Sequence, residues 1–168
     1  MSTTTTASPV VATSYAGFGA RLVALIIDWI IIGVAQSFVI VPILGLIGLS
    51  FVPDLQNAES MDEAQAIGMV GAIMGAMGSL WIVSTAISLL YFSIMESSNA
   101  QGSVGKLALS IKVTDMDGNK ISFGKAFLRS IGKYISGMIM FIGYLMAAFT
   151  DKKQALHDMI ASTLVVKK

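Results

Sequence analysis

The chain has 168 residues, of which 55% are hydrophobic and only 12% are charged, with a net charge of +1 and a mean hydropathy of +0.77. This composition excludes an ordinary soluble domain and indicates an integral membrane protein. The apolar residues form continuous runs rather than alternating, which excludes a transmembrane β-barrel. With no cysteine and one histidine, the chain has no disulfide framework, no thiolate metal site and no zinc centre built from histidine alone.

The segment before the first apolar run is uncharged and rich in Ser and Thr. Residues 1–20 carry no Asp, Glu, Lys or Arg, whereas a signal peptide places basic residues ahead of a short apolar core and a cleavage site. We predict a disordered cytoplasmic tail over residues 1–14 and one membrane domain over residues 15–167.

Two apolar stretches are each longer than the ~20 residues that a helix needs to cross the hydrocarbon core. Residues 22–52 include one charged side chain, Asp28, and residues 67–95 include none. We predict membrane spans at about residues 21–42 and 67–95. Proline interrupts helical hydrogen bonding, so the first span is expected to end near Pro42, with a tilted or interfacial extension beyond it.

Small residues recur along one side of the second predicted span. Its glycines fall at intervals of 3, 4 and 3 residues, at Gly68, Gly71, Gly75 and Gly78. Such a stripe lets another helix approach closely. It predicts helix packing, either within one subunit or between subunits of a homo-oligomer.

The distribution of charge predicts the orientation of the chain. The loop over residues 53–66 has four acidic and no basic residues, whereas residues 96–133 hold six basic residues. The positive-inside rule places the basic segment in the cytoplasm, and the N-terminus with it. We therefore expect a multi-pass protein of the bacterial cytoplasmic (inner) membrane with a cytoplasmic N-terminus.

Two short segments are predicted to form β-strands. Residues 107–114 alternate in polarity and end in β-branched residues before a turn signal at residues 115–119, and residues 163–166 read Thr-Leu-Val-Val. They can pair into a small cytoplasmic sheet only if both ends of the apolar stretch between them lie on one side of the membrane.

That third apolar stretch, residues 134–150, is shorter than a usual span. If it crosses the membrane, the basic C-terminus lies outside, against the positive-inside rule; if it re-enters as a short helical hairpin, all eleven basic residues lie on one side. Charge favours a hairpin or an interfacial helix. Just before it, Lys125, Arg129 and Lys133 recur every four residues, which predicts an amphipathic surface helix attracted to anionic lipid.

The predicted fold class is therefore an all-α membrane protein. It has two transmembrane helices, a third short helical hairpin or span, and a small cytoplasmic β-hairpin or strand element.

Asp28 is the one charged side chain inside a predicted span. It follows Arg21 by seven residues, so both side chains lie on the same side of a helix after two turns. An acid in a spanning helix costs roughly 2.5–3.5 kcal/mol, and such residues pair with cations or serve ion pathways. A structural Arg21–Asp28 pair and an ion-relay role for Asp28 are both open.

His157 precedes Asp158 near the C-terminus. The pair is interpreted as a structural hydrogen-bonding pair near the membrane surface, with a proton relay as the alternative. No nucleophile–base pair, metal cluster or cofactor loop is visible in the sequence. We expect no enzymatic activity, no cofactor and no nucleic-acid partner.

Several motifs occur in a fixed order along the chain. They are Ala16-Gly17-Phe18-Gly19-Ala20-Arg21 with Leu25-Ile26-Ile27-Asp28; Gly102-Ser103-Val104-Gly105-Lys106, Ile111-Lys112-Val113-Thr114-Asp115-Met116-Asp117-Gly118 and Ser122-Phe123-Gly124-Lys125-Ala126; and Asp151-Lys152-Lys153-Gln154-Ala155-Leu156-His157-Asp158 with Thr163-Leu164-Val165-Val166. Over about residues 15–167, this order resembles the RDD family of bacterial membrane proteins. Ala161-Ser162-Thr163 departs from the Ala-Gly-Thr that is common in the family.

The resemblance implies roles for one arginine and two aspartates. These fall on Arg21, Asp28 and Asp158, with Asp151 as the alternative second acid. It also implies transport, since some members of the family are described as sodium/proton antiporters.

The functional hypothesis is a small secondary transporter that exchanges a cation, such as sodium, for a proton. Two or three spans leave little room for an enclosed path, so we expect a homo-oligomer. The alternative is a non-transporting membrane partner or scaffold protein, in which Arg21, Asp28 and Asp158 form a structural clasp. The expected partners are the lipid bilayer, a small cation and a proton, and a second copy or another membrane protein.

Overall fold

The computed structural model describes residues 14–56, 59, 61–139 and 142–168. The predicted disordered tail lies outside the described residues except for Ser14. In chain order the elements are α1 (Phe18–Ser50), α2 (Val52–Gln56), α3 (Glu63–Ser97), α4 (Val104–Ala108), β1 (Ile111–Asp115), α5 (Phe123–Met138), α6 (Ile142–Phe149), α7 (Leu156–Ile160) and β2 (Thr163–Lys167).

The two long helices α1 and α3 are the predicted membrane spans. Both are long and apolar enough to cross a bilayer, and their apolar side chains are mostly exposed, as expected for surfaces that face lipid. Helix α1 continues through Pro42 to Ser50, so Pro42 does not end the helix. Ending a helix in hydrocarbon would unpair several backbone groups, whereas an internal proline removes one hydrogen bond.

Polar side chains define where α3 begins and where it meets α1. The Asp62 carboxylate accepts a hydrogen bond from the Gln65 backbone at 2.7 Å, and the Gln65 side chain accepts one from the Asp62 N–H at 3.2 Å, which forms a capping box. Further along, Gln36 of α1 exchanges hydrogen bonds with Ser84 and donates to Ser88. These bonds tie the two spans together in apolar surroundings.

Strands β1 and β2 form a two-stranded antiparallel sheet, with Ile111 opposite Lys167 and Asp115 opposite Thr163. The chain before α1 joins this sheet through a bridge between Tyr15 and Val166. The predicted pairing of the two strands is confirmed. It also brings the start of α1, the segment before α5 and the C-terminus to one sheet.

The turn after β1 leads into α5 rather than into a second hairpin strand. The Asp115 carboxylate accepts hydrogen bonds from the backbone N–H groups of Asp117 and Asn119, at 3.0 and 2.8 Å, and Gly118 adopts a positive φ of 85°. A small apolar core then joins the sheet to the first turns of α1 and α5; it comprises Ala16, Ala24, Ile111, Val113, Ile121, Ala126 and Val165.

Helices α5 and α6 form a bent pair at an angle of 104°. The third apolar stretch, residues 134–150, covers the end of α5 and all of α6. A Cβ on Gly143 would lie 2.6 Å from the Ser136 Oγ, so this glycine lets α6 pack tightly on α5. Because β1 precedes α5 and its partner β2 follows α7, both ends of the bent pair lie at the sheet. This arrangement favours the hairpin over a complete crossing.

Helix α5 is amphipathic, but its polar face is turned inward. Arg129 and Lys133 are buried, whereas Lys125 is exposed. The prediction of a surface helix that presents all three cations to lipid headgroups is therefore wrong for Arg129 and Lys133. Both side chains turn toward buried acids on other helices, and apolar side chains such as Leu128 and Ile135 cover the outer face.

Candidate functional site

A cluster of ionisable side chains, all buried except the part-buried Arg21, lies where the sheet-side ends of the helices meet. We call it the charge cluster. Its members are Arg21 and Asp28 from α1, Glu96 from α3, Lys106 from α4, Arg129 and Lys133 from α5, and His157 and Asp158 from α7. Five helices therefore contribute to one polar centre inside an apolar protein.

Glu96 holds three cations around a side chain that is 0% exposed. Its Oε2 lies 2.7 Å from Arg129 Nη1, its Oε1 lies 2.9 Å from Lys133 Nζ, and Lys106 Nζ also bonds Oε1. Lys133 Nζ in addition lies 3.7 Å from the centroid of the Phe92 ring. A carboxylate at this depth requires such compensation, because desolvation of an unpaired charge costs several kcal/mol.

Asp158 is the second fully buried acid and joins the two ends of the chain. Its Oδ1 lies 2.7 Å from Arg129 Nη2, its Oδ2 pairs with Arg21, and Oδ2 also accepts the Ala155 N–H at 3.2 Å. Burial alone would raise the pKa of Asp158, but the charges of Arg129 and Arg21 outweigh burial and hold it well below its ordinary value. The carboxyl group is therefore ionised at physiological pH.

Asp28 does not pair with Arg21. Its carboxylate accepts hydrogen bonds from the Gly105 N–H at 2.8 Å, from the Tyr91 hydroxyl at 3.0 Å and from the Ser103 hydroxyl. It forms no ion pair within the described part of the chain, so the structure does not contain the Arg21–Asp28 pair, which was one of the two alternatives left open by the sequence. Asp28 instead satisfies the N-terminus of α4, where backbone N–H groups lack helical partners.

Gly105 makes this contact possible. A Cβ there would lie 2.1 Å from the backbone oxygen of Ala24 and 3.1 Å from the Asp28 carboxyl carbon. Only glycine permits this close approach of α4 to α1.

Lys106 is a cluster member whose amine has a strongly lowered pKa. Burial, reinforced by Arg129 and Lys133 and opposed by Glu96, lowers the pKa of Lys106 to about 7. A pKa in this range allows the amine to release its proton near neutral pH while it stays next to the Glu96 carboxylate.

His157 is neutral over the same pH range. Burial lowers its pKa to about 3, with Asp158 opposing and Arg129 reinforcing that shift. Its Nε2 lies 3.5 Å from Asp158 Oδ1, and its Nδ1 has no hydrogen-bond partner among the described residues. The neutral imidazole therefore lies against Asp158 without adding a charge to the cluster.

Two cavities border the charge cluster. The smaller, of about 220 Å³, lies between α1, α6 and α7 and reaches Arg21, Asp28 and Lys106. The larger, of about 530 Å³, lies between α1, α3 and α5 and includes Gln36 and Ser88 in its lining. Both cavities are lined by Leu25, Trp29, Phe92, Lys133 and Tyr144. Lys133 therefore borders both cavities.

The remaining residues singled out from the sequence lie outside the charge cluster. Asp151 is exposed in the turn after α6, so Asp158 is the C-terminal acid that meets Arg21. The four glycines of α3, Gly68, Gly71, Gly75 and Gly78, face open space, since a Cβ on any of them would meet nothing within 4 Å. Within the described residues, no neighbouring element covers this stripe.

Sequence reasoning missed four members of the charge cluster: Glu96, Lys106, Arg129 and Lys133. Glu96 gave one signal, because it is the first charged residue after the long uncharged run of residues 67–95. The spacing of Arg129 and Lys133 correctly predicted a helix with a cationic face. Nothing in that spacing indicated that the face turns inward.

Comparison with known proteins gives a family and several relatives. A model of the RDD family matches residues 15–162. YxaI of Bacillus subtilis strain 168, described as an uncharacterized protein, is 33% identical over 153 residues, which cover 91% of this chain and 97% of YxaI. YteJ of the same strain, described as an uncharacterized membrane protein, is 27% identical over 155 residues, 91% of this chain and 81% of YteJ.

A more distant relative is the proline-rich antigen homolog of Mycobacterium tuberculosis. It is 26% identical over 166 residues, which cover 91% of this chain and 63% of that protein. No solved structure matches the chain.

Proposed function

We propose a transport function for this chain, which belongs to the RDD family of membrane proteins. The proposal is a small secondary transporter coupled to protons. The observation that carries it is Lys106, a buried amine beside Glu96 whose pKa lies at about 7 and which borders a cavity. Ionisable groups within membrane proteins are costly and commonly mark ion or proton pathways.

Exchange of a proton for a cation follows from how Glu96 is paired. When Lys106 loses its proton, Glu96 loses one of its three cationic partners. A small cation that reaches the Glu96 carboxylate in place of the lost proton would restore the lost charge. Replacing one proton by one monovalent cation leaves the total charge of the cluster unchanged, so sodium/proton exchange would use the Lys106–Glu96 pair rather than Asp28.

The proposal includes an orientation and an assembly. The sheet and the N-terminus lie on the cytoplasmic side of a bacterial inner membrane, because basic residues are favoured on that side. The open glycine stripe of α3 supports packing between subunits of a homo-oligomer. The partners in this proposal are the bilayer, a cation, a proton and a second copy of the chain, and no catalytic reaction is involved.

The test is ion-driven proton movement in proteoliposomes that hold wild-type protein, Lys106→Met or Lys125→Met. Methionine keeps the length and the apolar stem of lysine but carries no proton. We expect a sodium or other cation gradient to move protons through the wild-type protein and through Lys125→Met, whose lysine is exposed, but not through Lys106→Met. Absence of wild-type flux with every cation, or full flux in a folded Lys106→Met protein, would contradict the proposal.

A second candidate function is a non-transporting membrane partner or scaffold. It is favoured by the two contacts that hold α1 against the sheet-side elements, Arg21 with Asp158 and Asp28 with Gly105. In this function the two contacts act as a structural clasp. Wild-type protein without flux, together with loss of abundance in Asp28→Asn and Asp158→Asn, would favour it over transport.

A further inference from the structure

The smaller cavity combines a cationic floor with an apolar mouth. Its floor includes Arg21, Lys106 and Lys133, and its mouth includes Leu22, Ile26 and Leu145, each between 43% and 46% exposed. Exposed leucine and isoleucine on the faces of α1 and α6 belong to the surface that contacts lipid chains. The cavity is therefore open toward the acyl chains of the leaflet that lies on the side of the sheet.

The floor has spare hydrogen-bond donors. Nη2 of Arg21 is buried and has no hydrogen-bond partner among the described residues. Lys106 and Lys133 each bond Glu96 through one contact, whereas an ammonium group has three N–H donors. The cavity thus presents several unused N–H donors of cationic side chains to an incoming ligand.

The carboxylates in and near the same cavity already have hydrogen-bond or ion-pair partners. Among the described residues, the one acid in its lining is Asp28, whose carboxylate already accepts three hydrogen bonds. Glu96 and Asp158 lie behind the cations and are paired with them. This imbalance favours an anionic ligand over a cationic one at this place.

We propose that the smaller cavity binds the headgroup of an anionic phospholipid. The phosphate lies against Arg21, Lys106 and Lys133, and an acyl chain leaves through the apolar mouth between α1 and α6. A free phosphate anion shares the headgroup chemistry, but it would leave the apolar mouth unfilled. The cavity volume of about 220 Å³ equals roughly seven water molecules at about 30 Å³ each, which suits a headgroup but not a whole lipid.

Trp29 provides a reporter, because it is one of two tryptophans in the chain and lines this cavity. In a Trp81→Phe background, its fluorescence is followed in phosphatidylcholine vesicles that contain dibrominated phosphatidylglycerol or, at an equal fraction, dibrominated phosphatidylcholine. Bound brominated lipid quenches Trp29. We expect the protein's apparent affinity for phosphatidylglycerol to exceed its affinity for phosphatidylcholine roughly tenfold or more, since several basic groups face the phosphate.

Paired variants separate the cavity from the general lipid surface. Leu22→Phe with Leu145→Phe narrows the mouth and should abolish the preference. Leu46→Phe with Leu49→Phe adds the same bulk to exposed positions of α1 that do not line the cavity, and should leave the preference intact. Equal quenching by both brominated lipids in the parent protein would overturn the proposal.

An excess of inorganic phosphate identifies the source of the anion. Quenching by phosphatidylglycerol should survive it; complete displacement would mean that free phosphate is the ligand and would also overturn the proposal. The inference does not rest on the transport function. Lipid preference without ion flux would remove the transport proposal alone, and flux without lipid preference would remove this inference alone.

Discussion

Asp158 illustrates why individual charges in this protein have large effects. It is fully buried, and two arginines from different helices share its carboxylate. Removing one partner of a buried ion pair is costly because the other charge remains desolvated. Asp151, which the family resemblance left as an alternative, is exposed and does not share this environment.

The two aspartates therefore differ in their expected contribution to stability. Asp158→Asn leaves Arg21 and Arg129 without an ionised partner at this site and should lower the free energy of unfolding by about 3–5 kcal/mol. Asp151→Asn should change it by no more than about 0.5 kcal/mol. Thermal or denaturant unfolding of the purified proteins in detergent measures both, and equal stability of the two variants would contradict the assigned pairing.

The residues of the charge cluster were predictable only in part. Arg21, Asp28 and Asp158 could be singled out from the sequence, whereas their pairing could not. The pairing depends on how α4, α5 and α7 pack, and these elements are distant from α1 along the chain. The spacing of Arg21 and Asp28 allowed a local pair, but the Asp28 carboxylate accepts hydrogen bonds from neutral donors of α4 and Tyr91 instead.

At the scale of elements, the close contact between α4 and α1 depends on Gly105. Gly105→Ala would force a Cβ to within 2.1 Å of a backbone oxygen in α1. Since neither backbone can yield by a side-chain rotation, we expect a loss of at least about 1–3 kcal/mol in unfolding free energy. Gly124→Ala is the matched control because its Cβ would meet nothing within 4 Å; the same loss in both variants would argue against the contact.

The glycine stripe of α3 carries a separate prediction about assembly. Gly71→Leu with Gly75→Leu should reduce cross-linking between subunits in membranes, because leucine prevents close helix approach. The stability of the monomer should not fall, since a Cβ added at either glycine would meet nothing within 4 Å. The control, Val70→Leu with Val83→Leu, adds bulk at exposed positions elsewhere on α3. Unchanged cross-linking in the glycine variant would exclude the stripe as the subunit contact.

The existence of helix α5 could be predicted from its sequence pattern, but the orientation of its faces could not. The hydrophobic pattern gives the existence of an amphipathic helix but not which face is buried. In a soluble protein the apolar face is buried, whereas next to lipid the apolar face can be outside. The buried acids Glu96 and Asp158 decide the outcome here, because they require Arg129 and Lys133 as partners.

At the scale of the whole molecule, the sheet constrains the topology. Strand β2 pairs with β1 on one side and meets Tyr15 on the other. The residues just before α1, the segment before α5 and the C-terminal strand thus meet at one sheet. The fold class and both long spans followed from apolar run length, while the return of α5 and α6 to the sheet needed the long-range strand pairing.

Cysteine labelling tests this topology, because the natural chain has no cysteine. Single cysteines at Lys120 and Lys152, which flank α5 and α6 and are exposed, should react from the same side of the membrane. A cysteine at Glu59, between α1 and α3, should react only from the opposite side. Labelling of Lys120→Cys and Lys152→Cys from opposite sides would mean that α5 and α6 cross the bilayer.

The transport proposal requires Lys106 to exchange a proton near neutral pH inside the charge cluster. Its titration can be followed by NMR of the folded protein labelled with ¹³C at the lysine Cε, and its signal is assigned by disappearance in Lys106→Met. We predict a midpoint at a pH of about 7. A midpoint near the ordinary lysine pKa of 10.5 would mean that Lys106 is permanently charged, and would contradict its role as the proton-carrying group.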